Sequence, residues 1–267
     1  MSLEYCIVAS GSKGNAVWVR ANNTEVLLDC GIGARGLQAP LKRLGTDVSN
    51  IRAVICTHHH SDHAAGIPSL ARLGVDVYAT SPTMQRIRGT LPQKSKRIIA
   101  NSRVIAIGDL RLRAIPTRHD APGSVALVIS DGVSKLGMAT DLGRKTKQLV
   151  RAFAGLDAVI LESNHDVNML AHGPYPVRVK QRILSPLGHL SNAEAADLLA
   201  DIAHPGLKHI TLVHLSEENN TPEHAASAVT PVLGDCANNA TLTVSKRDPV
   251  DAPVTLTGCG PLFAALG

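Results

Sequence analysis

The sequence predicts an α/β protein built as two packed β-sheets with helices on their outer faces. Three observations predict it. Strand-like segments recur in two halves of similar length, with helical segments between them. Residues 53–57 are continuously apolar rather than alternating, as in a strand buried on both faces. The chain has 267 residues, 44% hydrophobic and 18% charged, which is ample for a core and ordinary for a globular protein.

The elements follow in order. Residues 5–9 are apolar and run into a turn-forming cluster, Ser10-Gly11-Ser12-Lys13-Gly14-Asn15. Residues 16–20 and 25–29 form a hairpin about Asn22-Asn23. The strand at 53–57 runs directly into His58, and residues 64–73 read as one helix closed by Gly74. A strand at 75–79 precedes Ser81-Pro82, which reads as an N-cap with proline at the first helical position. Strands follow at 104–107, 110–115, 125–129 and 135–140, the last leading into Asp141. Residues 145–153 are helical and 158–161 are strand. Ser191-Asn192-Ala193-Glu194 has the capping-box pattern and opens a helix to residue 203. A strand at 210–213 ends at His214, and Thr221-Pro222-Glu223 opens a further helix. Residues 241–244 and 254–257 pair as a closing hairpin. No repeat, low-complexity tract or linker interrupts the chain, so residues 1–267 are expected to form a single domain.

Composition narrows the partners. The formal net charge is +5, a modest basic excess that favours phosphate-bearing partners without demanding them. Aromatics make up only 2% of the chain, which argues against an aromatic stacking platform for single-stranded nucleic acid. Cys6, Cys30, Cys56, Cys236 and Cys259 are odd in number and scattered, so they read as reduced, mostly buried thiols. The N-terminus lacks a basic n-region, and no run of about 20 apolar residues exists. A cytoplasmic protein without a membrane partner is expected.

Chemistry concentrates in Thr57-His58-His59-His60-Ser61-Asp62-His63. The pattern His-x-His-x-Asp-His combines imidazole and carboxylate donors that suit Zn, Mn or Fe. It sits at the end of a buried strand, where a rigid scaffold presents a loop. His58 and His60 lie two apart, so in an extended stretch they point the same way. Asp62 and His63 fall on the following turn and can reach a second position. One short loop can thus supply two ligands to each of two metals. A surface histidine cluster or a tag would lack the buried strand before it. His59 is expected to point away, and His172, His204, His209 and His224 read as surface residues.

This pattern is the signature of the metallo-β-lactamase superfamily, and the rest of the chain resembles that superfamily in order. Asp29-Cys30-Gly31 resembles its early Asp-x-Gly motif, whose aspartate supports the metal loop by hydrogen bonds. His119 in Pro116-Thr117-Arg118-His119 resembles the third ligand motif. Asp141 in Ala139-Thr140-Asp141-Leu142-Gly143 resembles the bridging carboxylate, and His214 in Leu212-Val213-His214-Leu215-Ser216 the final ligand. The resemblance implies a four-layer αββα sandwich. It implies one divalent ion on His58, His60 and His119, a second on Asp62, His63 and His214, and Asp141 between them. Two ions about 4 Å apart lower the pKa of a shared water and stabilise attacking and leaving oxygens. That suits phosphodiester, ester, thioester or lactam hydrolysis, with Asp62 a catalytic residue as well as a ligand.

Longer segments narrow the branch. They are residues 9–15, 161–166, 169–170, 173–176, 180–185, 188–192 and 214–223, and they resemble the YycJ/WalJ/VicX-type family of bacterial metallo-β-lactamase-fold proteins. The resemblance implies 5′-to-3′ exonuclease activity on duplex DNA and a link to DNA repair. His189 precedes a capped helix start and, by resemblance to the tRNA-maturase branch, is expected to act as a general acid or phosphate contact. Ser191 and Asn192 beside it, and Arg178 and Arg182 four apart on one helical face, are candidate substrate contacts. Arg144, Lys145 and Lys147 follow Asp141 closely enough to join them. Residues 120–126 depart from the aromatic continuation the family implies. No β-CASP insertion fits between Asp141 and His189. Two alternatives stand beside the nuclease: a small-molecule hydrolase of the same fold acting on a lactone, thioester or cyclic phosphodiester, and a non-catalytic nucleic-acid-binding regulator.

Overall fold

The apolar runs of the first half become strands around a short set of helices. In chain order these are β1 (Leu3–Ala9), β2 (Ala16–Ala21), β3 (Thr24–Leu28), α1 (Ala34–Arg43), β4 (Ile51–Ile55), α2 (Ser61–Ala64), α3 (Ile67–Arg72), β5 (Asp76–Ala79), α4 (Ser81–Arg86) and β6 (Lys96–Ile98). The second half adds β7 (Val104–Ile107), β8 (Leu110–Pro116), β9 (Val125–Ser130), β10 (Lys135–Ala139), α5 (Lys147–Phe153), β11 (Ala158–Glu162), α6 (Val167–His172) and α7 (Val177–Ile183). It ends with α8 (Asn192–Ile202), β12 (His209–Val213), α9 (Pro222–Leu233), β13 (Thr241–Val244) and β14 (Val254–Leu256). The structure is a computed structural model that describes residues 2–100, 103–234, 237, 239–245 and 252–258.

The strands form two seven-stranded sheets, ordered β14-β1-β2-β3-β4-β5-β6 and β13-β12-β11-β10-β9-β8-β7. In each sheet the strands at one end pair antiparallel and those at the other parallel, the change falling at β3 in the first and β10 in the second. Leu3, Val17, Leu28, Leu112, Leu127 and Ile160 are among the side chains that fill the space between the sheets. Tyr5 and Thr211 join the sheets by a buried hydroxyl–hydroxyl hydrogen bond of 2.9 Å. Trp18, Leu27, Leu37 and Leu70 pack the outer face of the first sheet under α1 and α3. Phe153, Leu198, Leu199 and Val229 pack the outer face of the second under α5, α8 and α9. The result is the αββα four-layer sandwich. Strands β4, β11 and β12 lie inside their sheets with apolar layers on both faces, which is why their sequences do not alternate.

Local departures from the sequence reading have identifiable causes. The helix expected over 64–73 is split into α2 and α3. The carbonyl of Asp62 accepts from the backbone N–H of Asn15 at 2.7 Å, and the N–H of Gly66 donates to Cys30 at 2.8 Å, so the helical ladder is interrupted there. The N-cap of α4 is Thr80 rather than Ser81; its hydroxyl meets the carbonyl of Gly123 at 2.8 Å. The helix expected from residue 145 starts at Lys147, capped by Thr146. The expected closing hairpin does not form: β13 runs parallel to β12 in the second sheet, while β14 crosses to pair antiparallel with β1 in the first. Cys6, Cys30 and Cys56 are buried; Cys236 and Cys259 lie outside the described residues. Among the described residues, no helix is long and apolar enough to cross a membrane.

Candidate metal centre

Strand ends deliver the polar groups. Asp29 follows β3, His58 and His60 follow β4, His119 follows β8, Asp141 follows β10, and His214 follows β12. Crevices at the C-terminal ends of strands are where α/β sheets place their ligands. Three of these residues turn the chain sharply: Asp29, Asp141 and His214 have φ of 59°, 56° and 59°. A non-glycine residue in that left-handed region costs on the order of 1–3 kcal/mol and persists only where its surroundings over-determine it. The same turn at three strand ends aims Asp141 and His214 into the centre and Asp29 at the loop behind it.

All seven residues of the expected ligand set come together. The donor atoms of His58, His60 and His119 lie within 4.8 Å of one another, as do those of Asp62, His63 and His214. Asp141 stands between the two triplets. Its Oδ2 is 2.9 Å from His63 Nε2, and its Oδ1 is 3.4 Å from His214 Nε2 and 3.7 Å from His119 Nε2. His59 belongs to none of the candidate metal groups.

Behind the triplets lies a supporting layer. Asp29 is fully buried; it accepts from the Thr57 backbone N–H at 2.7 Å and the Thr57 hydroxyl at 2.8 Å, and pairs with His63 Nδ1 at 2.8 Å. Those contacts pin the metal-loop entrance and leave His63 Nε2 for the centre. From the β1–β2 turn Asn15 holds His214, its Oδ1 3.2 Å from His214 Nδ1, while its Nδ2 faces the centre-side nitrogen of His63, Nε2, at 3.0 Å. Gly31 lets these pieces close up, since a Cβ there would sit 1.7 Å from the carbonyl oxygen of Asp62.

Protonation fits a metal. Burial pushes His58 well below the usual imidazole range, so its ring is neutral, and its Nε2 is buried with no hydrogen-bond partner. Burial would raise Asp141, but His214, His63 and His58 hold it well below the usual carboxylate range. Burial likewise opposes a charge on His63, yet Asp141 and Asp29 raise it well above the ordinary value. A neutral imidazole with an unused nitrogen beside an ionised carboxylate is a metal-ligand set, and the demand for positive charge around His63 is what a cation meets. The chemistry of these donors is that of a divalent-metal centre.

A cleft of about 270 Å³ opens over the centre, lined by Ser12, His60, Asp62, Asp141, Asn164, Tyr175, Val179, Arg182, Ile183, His189, His214 and Ser216. His189 is mostly buried, with Nδ1 2.6 Å from Glu162 Oε1. Burial lowers its pKa, but the Glu162 carboxylate more than offsets this and pushes it up to about 9. Glu162 is itself wholly buried, and its other oxygen accepts from the Leu142 N–H at 2.8 Å.

The expected substrate contacts divide. Arg182 lines the cleft and Arg178 does not. Ser191 and Asn192 do not match the expected substrate role. Both are buried; Ser191 is committed to the capping box with Glu194, and Asn192 bonds Ser163 and Asn220. Lys145 is tied to Asp197 and Asp201 and lines a separate surface depression with Lys147. Sequence reasoning missed Asn15 and Glu162. The signal for Glu162 was present: an acid closing the apolar strand Ala-Val-Ile-Leu-Glu. Asn15 had only its place in a glycine-rich turn.

Known proteins are similar to this chain in sequence or fold. The beta-lactamase superfamily domain matches residues 24–215. Exodeoxyribonuclease YycJ of Bacillus anthracis is 35% identical over 237 residues, covering 87% of this chain and 90% of the relative. Exodeoxyribonuclease WalJ of Streptococcus pneumoniae is 32% identical over 231 residues, covering 84% and 86%. Among solved structures, the metallo-beta-lactamase fold protein YhfI from Bacillus subtilis aligns with a TM-score of 0.73 over 95% of this chain and 99% of that one, at 16% identity, a likeness of fold. The chain therefore belongs to the metallo-β-lactamase superfamily and, within it, to the family of YycJ and WalJ.

Proposed function

We propose that this protein is a metal-dependent exodeoxyribonuclease that hydrolyses DNA phosphodiester bonds from the 5′ end, in the cytoplasm and in the service of DNA repair. One observation carries the reading: the His/Asp centre, with the Glu162–His189 pair beside it, opens into a polar cleft edged by Arg182. Both full-length relatives named above carry the word exodeoxyribonuclease in their names.

In this reading His58, His60 and His119 would hold one ion and Asp62, His63 and His214 a second, with Asp141 placed to serve either. Zn or Mn suits the donors, with Fe possible for the same set. Divalent ions held there would supply Lewis-acid chemistry and lower the pKa of water. Asp29 and Asn15 fix the orientation of the ligand imidazoles. Glu162 holds Nδ1 of His189, which leaves Nε2 to donate a proton to the departing oxygen. Arg182 meets a phosphate. The shared core of the two sheets supports reading residues 1–267 as one domain without a β-CASP insertion.

The open, polar cleft favours a polymer over the small apolar substrate of a lactone or thioester hydrolase. The test is duplex DNA labelled at the 5′ or the 3′ end, incubated with Mn-loaded protein and with Asp62→Ala. Mononucleotide release from the 5′ end that disappears in the variant is the expected result. Cleavage of a lactone or simple phosphodiester without cleavage of DNA would replace the nuclease with the small-molecule hydrolase. DNA binding without turnover of any substrate would favour the regulator.

A further inference from the structure

An arginine on a solvent-facing helix ordinarily samples many rotamers, and a phosphate that meets it must first order it. Arg182 is spared that disorder. Its Nε donates to Asp120 Oδ2 at 2.6 Å, across 62 positions of sequence. The other oxygen of Asp120 lies 3.5 Å from His60 Nε2 and 3.2 Å from His119 Nε2. One carboxylate thus stands between two imidazoles of the metal centre and a guanidinium at its mouth.

We propose that Asp120 is a positioning residue that holds Arg182 across the mouth of the centre, so that the guanidinium meets a substrate phosphate in a fixed place. This deepens the nuclease reading and rests on it. The strut has firm footings. The Asp120 N–H donates to Leu187 at 3.1 Å, and His119 Nδ1 lies 3.2 Å from the carbonyl of Gly188, which locks the loop after β8 to the segment after α7. That junction leaves no slack: a Cβ at Gly143 would sit 2.0 Å from the Pro186 carbonyl oxygen. The tie uses Nε alone. Among the described residues neither Nη group makes a hydrogen bond, so the outer edge of the guanidinium is left for the paired oxygens of a phosphate.

A competing role for the same contact has the opposite sign. If Asp120 merely neutralised Arg182, or occupied the place of the phosphate, its removal would tighten DNA binding, because the protein would gain a free cation.

The test compares wild type, Asp120→Asn, Arg182→Ala and the double variant as full chains. Binding of a 3′-fluorescein duplex with phosphorothioate linkages is measured with Mn present across a salt series, turnover of the matching phosphodiester duplex in Mn, and metal content by elemental analysis. Asp120→Asn is expected to raise Kd and KM about 10-fold through lost preorganisation while kcat stays within about 3-fold. Its salt slope stays at the wild-type value because the cation remains, whereas Arg182→Ala lowers the slope by about 1. The double variant matches Arg182→Ala, since a strut without its load does nothing. Metal content is unchanged throughout. Tighter binding by Asp120→Asn, additive losses in the double variant, or metal loss in Asp120→Asn would each overturn the strut. Wild type that cuts DNA with Asp120→Asn indistinguishable from it sinks the strut alone. Wild type that neither binds nor cuts DNA sinks the nuclease reading, and the strut with it.

Discussion

Asp29 never points at substrate, yet three contacts converge on its carboxylate from the metal loop. Replacing it by alanine should lower divalent-metal affinity about 10- to 100-fold, read by competition with a chromophoric chelator. Asn15→Ala should act in the same direction through His214. His189→Ala should behave differently, with kcat falling about 10²- to 10⁴-fold at unchanged metal stoichiometry, as for a lost proton donor. Equal loss of metal in His189→Ala would instead make His189 a ligand. The clustering of the candidate ligands was legible because His58, His60, Asp62 and His63 lie together in sequence and each remaining member closes a strand. Asn15, Glu162 and Asp120 were not legible as working residues. Their roles depend on partners 48, 27 and 62 positions away, and no periodicity records such a distance.

At the scale of elements, local chemistry was read well wherever it was self-contained. The capping box at Ser191 forms with both of its hydrogen bonds. Ser191→Ala should therefore cost about 1 kcal/mol, seen as a melting temperature lower by about 2–4 °C, with no change in the DNA salt slope. A changed slope would restore Ser191 as a phosphate contact. Where an element answers to a distant neighbour, the pattern misled. The apolar run at 64–73 has helical character throughout, but its ladder breaks because Asn15 and Cys30 claim the backbone groups. The last two strands read as a hairpin from their proximity in sequence, yet each finds its partner on a different sheet. Gly31→Ala tests how tightly the elements interlock. The overlap with Asp62 should destabilise the fold by about 1–3 kcal/mol and lower metal occupancy together, measured by melting and elemental analysis.

Across the whole molecule, burial governs the thiols as well as the ligands. Burial pushes the Cys30 thiol up to about 12 and Cys56 further above its usual range. Iodoacetamide at pH 8 should therefore leave both unmodified in the native protein and label them once it is unfolded, as peptide mass mapping would report. Labelling of either in the native state would show that the first sheet opens readily.

The centre draws His58, His60, Asp62 and His63 from the first sheet, and His119, Asp141 and His214 from the second. An ion bound there would consequently be a clasp fastening two half-proteins whose seam is otherwise largely apolar, stitched by a few hydrogen bonds such as Tyr5–Thr211. Neither half in isolation would keep a full coordination sphere. Chelation should loosen the docking of the halves before it melts either sheet, and hydrogen exchange would record this as protection lost first along the seam.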